Sequence, residues 1–398
     1  MLKLSELFRT RYSVNLNEII AIRKSIHQEA EPALTEYKTQ KKIIDFLLSK
    51  GADAKRLHKI AGAGVIYDII NGKPKYGICI RADIDALPQK ETTGLPYACT
   101  TGAAHSCGHD GHTATLLAAS QVFIKQANKI PPEKRLRLLF QPAEETFEGA
   151  ERVIAENGID EINEIYALHN HGSSTGTIKI KQGPMFSGVI HFKISIKGKS
   201  SHGSFPDKGF DPITAISYVH SSLHSLMSME TCDNGPRPVC TVGYIQGGTA
   251  FNIIPEMAVM EGSLRVFSNE MEEKMMKRIR SIVETVPCAF GCVGKLEVKR
   301  KIPPVINHKV PMQHLLRAVE SAIGKDSIVQ MKNPEMASED FALYTERIPG
   351  AYFFFGGRDP GTPLVINHNS GFDYNDKIIG PSALIWIKLI EQRFGIEF

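Results

Sequence analysis

Cys107-Gly108-His109-Asp110-Gly111-His112, joined further along by Glu144-Glu145, His169 and His368, supplies the residue types that bind transition metals and move protons. A lone thiol is most often a small buried hydrophobe, and adjacent acids at a strand end are usually just solvated; the combination argues for chemistry. Cys107 and His109 lie two apart, with one glycine between them and another soon after, so the backbone can turn tightly. Thiolate and imidazole are both ligands that zinc accepts. Asp110 and His112 have two equal readings, as hydrogen-bonding partners of a ligand or as residues that cap a helix start. Glu144 and Glu145 point in opposite directions if the chain is extended. One can then bind metal while the other faces a water whose pKa the metal lowers to roughly 7, where a base needs only to accept and pass on a proton. Glu145 is read as the ligand and Glu144 as the base. His169 closes an apolar run, which makes it a better ligand candidate than His171. His368 joins the set because two metals need more ligands than the other residues provide. Asp83, at the end of its own strand, is placed to orient a ligand.

Most of these groups fall where apolar runs stop, while His368 lies well beyond the apolar run 351–355, in a Gly/Asn-rich loop. Residues 79–84, 136–141 and 165–168 read as buried strands, and in α/β folds ligands collect just past the carboxyl ends of strands. Residues 16–26 and 39–48 carry apolar side chains at helical spacing. The β-branched runs of 63–83 are divided by Asn71-Gly72, a hairpin signal. Residues 112–129 place Leu116, Ala119, Phe123 and Ala127 on one helical face, and Pro131-Pro132 closes that helix. After Gly183-Pro184 the pattern changes. Ile190, Phe192, Ile194 and Ile196 alternate with more polar residues, as in a sheet solvated on one face. Asp211-Pro212 starts a helix, 239–245 and 257–267 read as strands, Ser268 caps a charged helix to Val286, and 295–301 is a last strand. That βαββαβ order is the ferredoxin-like motif, and Pro303-Pro304 marks its exit. The sequence thus predicts a catalytic α/β domain, residues 1–186 and 303–398, interrupted by an α+β domain at 187–302.

The 398 residues, 42% hydrophobic and 23% charged, suit a globular chain long enough for two domains. A net charge of +4 with dispersed Lys and Arg gives no footprint for nucleic acid or an anionic membrane. The N-terminal residues lack the apolar core of a secretion signal, and no stretch approaches the roughly 18–20 apolar residues of a spanning helix. Seven cysteines, an odd number, point to reduced thiols in a cytoplasmic compartment. Cys288 and Cys292 have the spacing of a metal clip with no second pair to complete it, and are read as buried thiols.

Across nearly the whole chain these segments resemble the amidohydrolase branch of the aminoacylase and carboxypeptidase-type zinc hydrolases, which includes hippurate hydrolases and indole-acetyl-amino-acid hydrolases. The similar segments are Arg81-Ala82-Asp83-Ile84-Asp85-Ala86-Leu87-Pro88, His105-Ser106-Cys107-Gly108-His109-Asp110-Gly111-His112 and Gln141-Pro142-Ala143-Glu144-Glu145. Residues 198–206 around His202, 247–255 around Asn252, Met336-Ala337-Ser338-Glu339-Asp340-Phe341 and His368-Asn369-Ser370-Gly371-Phe372-Asp373 complete the set. The resemblance implies two divalent metal ions (Zn, Mn or Ni) held by Cys107, His109, Glu145, His169 and His368, with Glu144 as general base. It also implies that the inserted domain is a lid through which two copies dimerise. His202 would stabilise the oxyanion, in its own or a neighbouring subunit's site, and Asn252 and Arg265 would hold the substrate's carboxylate, a bidentate contact that suits arginine. The sequence departs from the pattern at Ala30, where the family's His-x-x-Pro-Glu has proline, around the lid histidine (Ser200-Ser201, Gly203-Ser204-Phe205), and in the spacing before His368.

The expected activity is hydrolysis of an N-acyl amino acid to a carboxylic acid and a free amino acid. The alternatives are a dipeptidase or carboxypeptidase with the same site, a cysteine amidase using Cys107 as nucleophile, and a binding protein that keeps the fold. The paired glutamates argue against the last, since binding alone needs no base.

Overall fold

The computed structural model describes residues 2–230 and 236–398. The chain divides into two compact units: Met1–Gly183, Ile306–Lys332 and Asp340–Phe398 form the first, Pro184–Val305 and Asn333–Glu339 the second. The first unit is built on an eight-stranded mixed sheet. Its order is Leu57–Ile60, Gly64–Ile70, Lys134–Gln141, Tyr76–Asp83, Glu164–Ser174, Gly350–Arg358, Ile178–Ile180 and Ile328–Gln330. The four strands from Lys134–Gln141 to Gly350–Arg358 run parallel. Ile78, Ile80, Leu136, Leu138, Tyr166 and Phe353 are fully buried, as expected where helices cover a parallel sheet. The helix His109–Lys125 packs on Tyr76–Asp83 and on the C-terminal helix Ile379–Phe394. Each fully buried large apolar side chain stabilises the sheet by about 1.5–3 kcal/mol.

The register aligns three strand ends. Asp83 pairs with Gln141, and Ala167 with Arg81, so His169 comes level with Asp83 two residues on. A buried lattice clamps these ends. Arg81, 2% exposed, donates to Gln141 Oε1 (2.9 Å), Asp83 Oδ2 (2.6 Å) and Asp340 Oδ1 (3.0 Å), and Asp340 also accepts from Gln141 Nε2 (2.8 Å) and the Ala150 N–H (2.9 Å). Five donors on one guanidinium in a fixed fork make arginine fit for this.

The second unit has the element order strand, helix, strand, strand, helix, strand, with sheet order Val239–Gly247, Met257–Val266, Gly188–Lys197, Val293–Ile302, all antiparallel. Ile190, Phe192, Ile194 and Ile196 turn inward against Ala215, Val219 and Leu223 of the helix Pro212–Met229 and Met275, Ile279 and Val283 of Asn269–Thr285. Asp211 and Ser268 cap those helices, accepting from the Ile213 and Met271 N–H groups.

Several expectations need correction. Gly64–Ile70 and Tyr76–Asp83 are not a hairpin, because Lys134–Gln141 lies between them. Asn71 spends its side chain on the Ala127 and Ile130 carbonyls, and the chain still reverses direction, but one strand position further along the sheet. The third strand does not stop at His169. Its pairing with Tyr76–Asp83 ends at Ala167, but Gly350–Arg358 continues beside it to Ser174. Asn333–Glu339, assigned from the sequence to the first domain, packs with the second unit: Arg265 donates to the Met336 carbonyl (2.7 Å) and Ser338 Oγ (3.1 Å). Cys292 is buried, but Cys288 is exposed.

Asp68 accepts two 2.7 Å hydrogen bonds from Arg137, both side chains about nine-tenths buried. Asp68→Ala leaves that guanidinium buried without its anion and is expected to lower stability by about 3–5 kcal/mol, read as a lower urea midpoint at unchanged slope. An unchanged midpoint would mean the pair contributes nothing to folding.

Candidate metal centre

Gly108 adopts φ +91° just before the helix His109–Lys125. A Cβ there would lie 2.2 Å from Asn170 Oδ1, and one on Gly111 would lie 2.2 Å from the Tyr374 ring. Glycine is thus required at both positions for Cys107 and His109 to reach the strand ends. The His109 ring is fully buried. Its Nδ1 lies 3.0 Å from Asp85 Oδ1, and because a carboxylate accepts, Nδ1 carries a hydrogen and Nε2 is the nitrogen turned to the centre. Among the described residues Nε2 has no hydrogen-bond partner, nor has Glu145 Oε1, 3.9 Å away. Two buried polar atoms facing one another without partners are what a cation between them would satisfy.

The remaining groups close around the same point. Cys107 Sγ is 3.3 Å from His169 Nε2, and His169 Nδ1 donates to the Asn170 carbonyl (2.8 Å), again leaving Nε2 inward. His368 Nε2 is 3.4 Å from Glu145 Oε1. Its backbone is held at φ +67° while its N–H donates to the Ser106 carbonyl (2.8 Å), so the loop is tied to the segment that carries Cys107. The ligand atoms of Cys107, His109 and His169 lie within 4.8 Å of one another, and so do those of Cys107, Glu145 and His368. Cys107 belongs to both triads, a layout suited to two cations. Glu144, 6% exposed, groups with His109 and Glu145 by the same measure.

The electrostatics point the same way. Burial pushes the Cys107 thiol well above its ordinary pKa, and the Glu145 charge adds to it. Burial raises Glu145 to about 7 despite the His109 charge, and with the neighbouring His112 it holds His169 well below the usual imidazole range. For His109 burial opposes the charged form, but Asp83, Cys107 and the Asp85 bond outweigh it and raise its pKa. A divalent cation reverses the first two effects, since it stabilises thiolate and carboxylate directly.

Asp85 was not singled out in the sequence, yet its carboxylate touches two of the proposed ligands: Oδ1 meets His109 Nδ1 and Oδ2 accepts the Glu145 N–H (2.9 Å). Asp83 instead bonds His112 Nδ1 (2.5 Å) and Arg81, with its Oδ2 3.9 Å from His109 Nε2. His112 also accepts the Asn170 N–H (3.0 Å), so it matches neither reading as stated: it bonds Asp83 and Asn170, which flank the candidate ligands, and caps no helix group. Asp110 faces away, to Arg23 (2.9 Å) and His27 (2.9 Å). Asn367 Nδ2 lies 3.8 Å from Cys107 Sγ. Glu36, fully buried and 107 residues distant in the chain, accepts the Ala143 N–H (2.8 Å) and fixes the φ +55° turn that delivers Glu144 and Glu145.

His202 and Asn252 lie together in the second unit, where Ile253 pairs with His202 and the Gly203 N–H donates to the Asn252 carbonyl (2.8 Å). His202 Nδ1 accepts the Ser204 N–H (3.1 Å), so the ring's exposed Nε2 carries the hydrogen. Arg265 sits apart on Met257–Val266, engaged with Met336 and Ser338.

Residues 79–392 match the family model described as Peptidase family M20/M25/M40. The chain belongs to that family, and it is a hydrolase. It is similar to the N-acetyl-L-cysteine deacetylase of Bacillus subtilis (strain 168), 36% identical over 342 residues covering 85% of this chain and 80% of the relative. It is also similar to IAA-amino acid hydrolase ILR1-like 4 of Arabidopsis thaliana, 31% identical with 91% and 82% covered. Among solved structures, the Bacillus subtilis YXEP protein, a dinuclear metal binding peptidase from the M20 family, superposes with a TM-score of 0.80 at 28% identity, covering 98% of this chain and 99% of that one. The donor set at Cys107 fits such a pair of divalent metals.

Because Asp85 orients His109 and holds the Glu145 backbone, Asp85→Ala is expected to weaken divalent metal binding by about 10–100-fold, measured by titrating Zn2+ against a competing chelator dye. Wild-type affinity in that variant would show that the ligands are positioned without it.

Proposed function

We propose that this hydrolase cleaves the amide bond of N-acyl amino acids, with Cys107, His109, Glu145, His169 and His368 holding two divalent cations. One observation carries the reading: these five donors, from four separate chain segments, converge with Glu144 at the aligned strand ends. The cations, when bound, supply Lewis acidity toward the amide carbonyl and the attacking water. Glu144 takes the proton from that water and hands it to the departing nitrogen, which leaves as a free amine. Asp85 keeps His109 and Glu145 fixed meanwhile, so little reorganisation accompanies the charge that develops. His202, with its hydrogen on an exposed Nε2, is suited to donate to the developing oxyanion, and Asn252 beside it to the substrate's carboxylate. Arg265 is assigned to holding the segment of Met336 and Ser338, and its remaining donors to the carboxylate.

The names of the two relatives support an amino acid acylated on nitrogen as substrate. A cysteine amidase is disfavoured physically. A nucleophilic thiol needs a depressed pKa, whereas burial and the Glu145 carboxylate raise that of Cys107.

Glu144→Ala is expected to lower kcat by at least about 10²-fold, the low end for loss of a general base, while the metal content found by atomic absorption stays that of the wild type. Retained turnover would remove Glu144 from the role. A substrate panel of N-acetyl, N-benzoyl and indole-acetyl amino acids beside free-amine dipeptides, run after chelation and with Zn2+, Mn2+ or Ni2+ restored, is expected to show turnover confined to the acylated compounds and dependent on metal. Preference for the dipeptides would replace this reading with a dipeptidase; indifference to chelation would favour the thiol.

A further inference from the structure

The helix Pro212–Met229 buries Ala215, Ile216, Val219, Leu223 and Leu226 against its own unit's sheet and turns a second row outward. His220 and His224 stand in that row one turn apart, a spacing that places side chains side by side. Their Nε2 atoms are 3.1 Å apart, with ring centroids 4.5 Å apart and planes at 62°. His220 is half-buried at the helix flank and His224 is exposed. Among the described residues neither ring pairs with a carboxylate, and each has the other as its polar partner. The hydroxyls of the neighbouring Ser217, Ser221 and Ser225 are turned back to helix carbonyls and do not compete.

Two imidazole nitrogens this close must share a positive centre, either one ring's proton or a cation bound by both lone pairs. With metal–nitrogen bonds of roughly 2.0–2.1 Å, a 3.1 Å separation subtends an angle at the metal of about 100°, between the values for square-planar and tetrahedral coordination. A pair at that bite, on a helix that already fixes both backbones, is a preorganised chelate. We propose that His220 and His224 form a surface site for a borderline divalent cation such as Ni2+, Cu2+ or Zn2+, separate in residues from the centre at Cys107. Water fills the remaining coordination positions, and affinity comes from the second nitrogen binding at high effective concentration once the first is engaged.

The test uses the full chain and Ni2+ in isothermal titration calorimetry. The wild-type chain is expected to take up one more equivalent than His220→Ala/His224→Ala. A third chain, His224→Ala with Ser225→His, keeps the number of histidines but moves one ring to another face of the helix. It is expected to bind that equivalent at least about 10-fold more weakly than the wild type. Both positions line the outer face of the helix, and equal far-UV circular dichroism checks that all three chains are folded alike. Identical stoichiometry in the wild type and the double variant overturns the proposal and leaves a shared proton. Equal affinity in the register-shifted chain also overturns it, since binding would then follow histidine count and not the chelate.

Discussion

The Asp85 carboxylate is the interaction on which the metal centre depends. It takes a hydrogen from the His109 ring on one oxygen and from the Glu145 backbone on the other, so one rigid group fixes a side chain from a helix start and a main chain from a strand end. His109 could find no water there, since it and Asp85 are buried. A carboxylate in such surroundings is costly unless its lone pairs are used, and here both oxygens are. The same arrangement dictates which nitrogen of His109 turns inward, and through Glu145 it sets where His368 can approach.

That carboxylate is useful only because the strand ends are level. Parallel pairing of Asp83 with Gln141 and of Arg81 with Ala167 sets the height at which each chain leaves the sheet. The Arg81–Gln141–Asp340 lattice then keeps those ends from sliding. Past them the chain turns by different means: glycine at 108, and a non-glycine φ of +55° at Ala143 held by Glu36. Strain of this kind persists where the surroundings over-determine it, and here what it positions is the glutamate pair.

The candidate donors stand out in the sequence because their types are rare in combination and most of their positions follow the ends of apolar runs. Cys107, His109, Glu145 and His169 could be named from that alone, with His368 needed to complete the count. What escaped was register. Asp83 and Asp85 are two apart and share a face of an extended chain, so nothing in the local pattern says which meets His109; pairing with distant strands decides it. The same limit produced the false hairpin at Asn71-Gly72, where a favourable turn sequence was overridden by a strand contributed more than sixty residues later. Arg265 and Met336, 71 residues apart, are likewise joined by a hydrogen bond that no periodicity announces.

Cys107 shows how environment selects among chemistries open to one residue. A thiol beside an imidazole could serve as a nucleophile or as a ligand, and His169 at 3.3 Å fits either. The deciding difference is burial, the largest cause of the raised thiol pKa, to which the Glu145 charge adds while His109 pulls the other way. A nucleophilic thiol needs neighbours that favour thiolate in the absence of metal, but here burial and Glu145 oppose it. Thiolate and carboxylate a few ångströms apart repel, and a cation removes that repulsion while meeting the unpartnered His109 Nε2 and Glu145 Oε1. The buried, acid-rich geometry that would disable Cys107 as an attacking group is therefore what suits it to the shared-ligand role proposed for it.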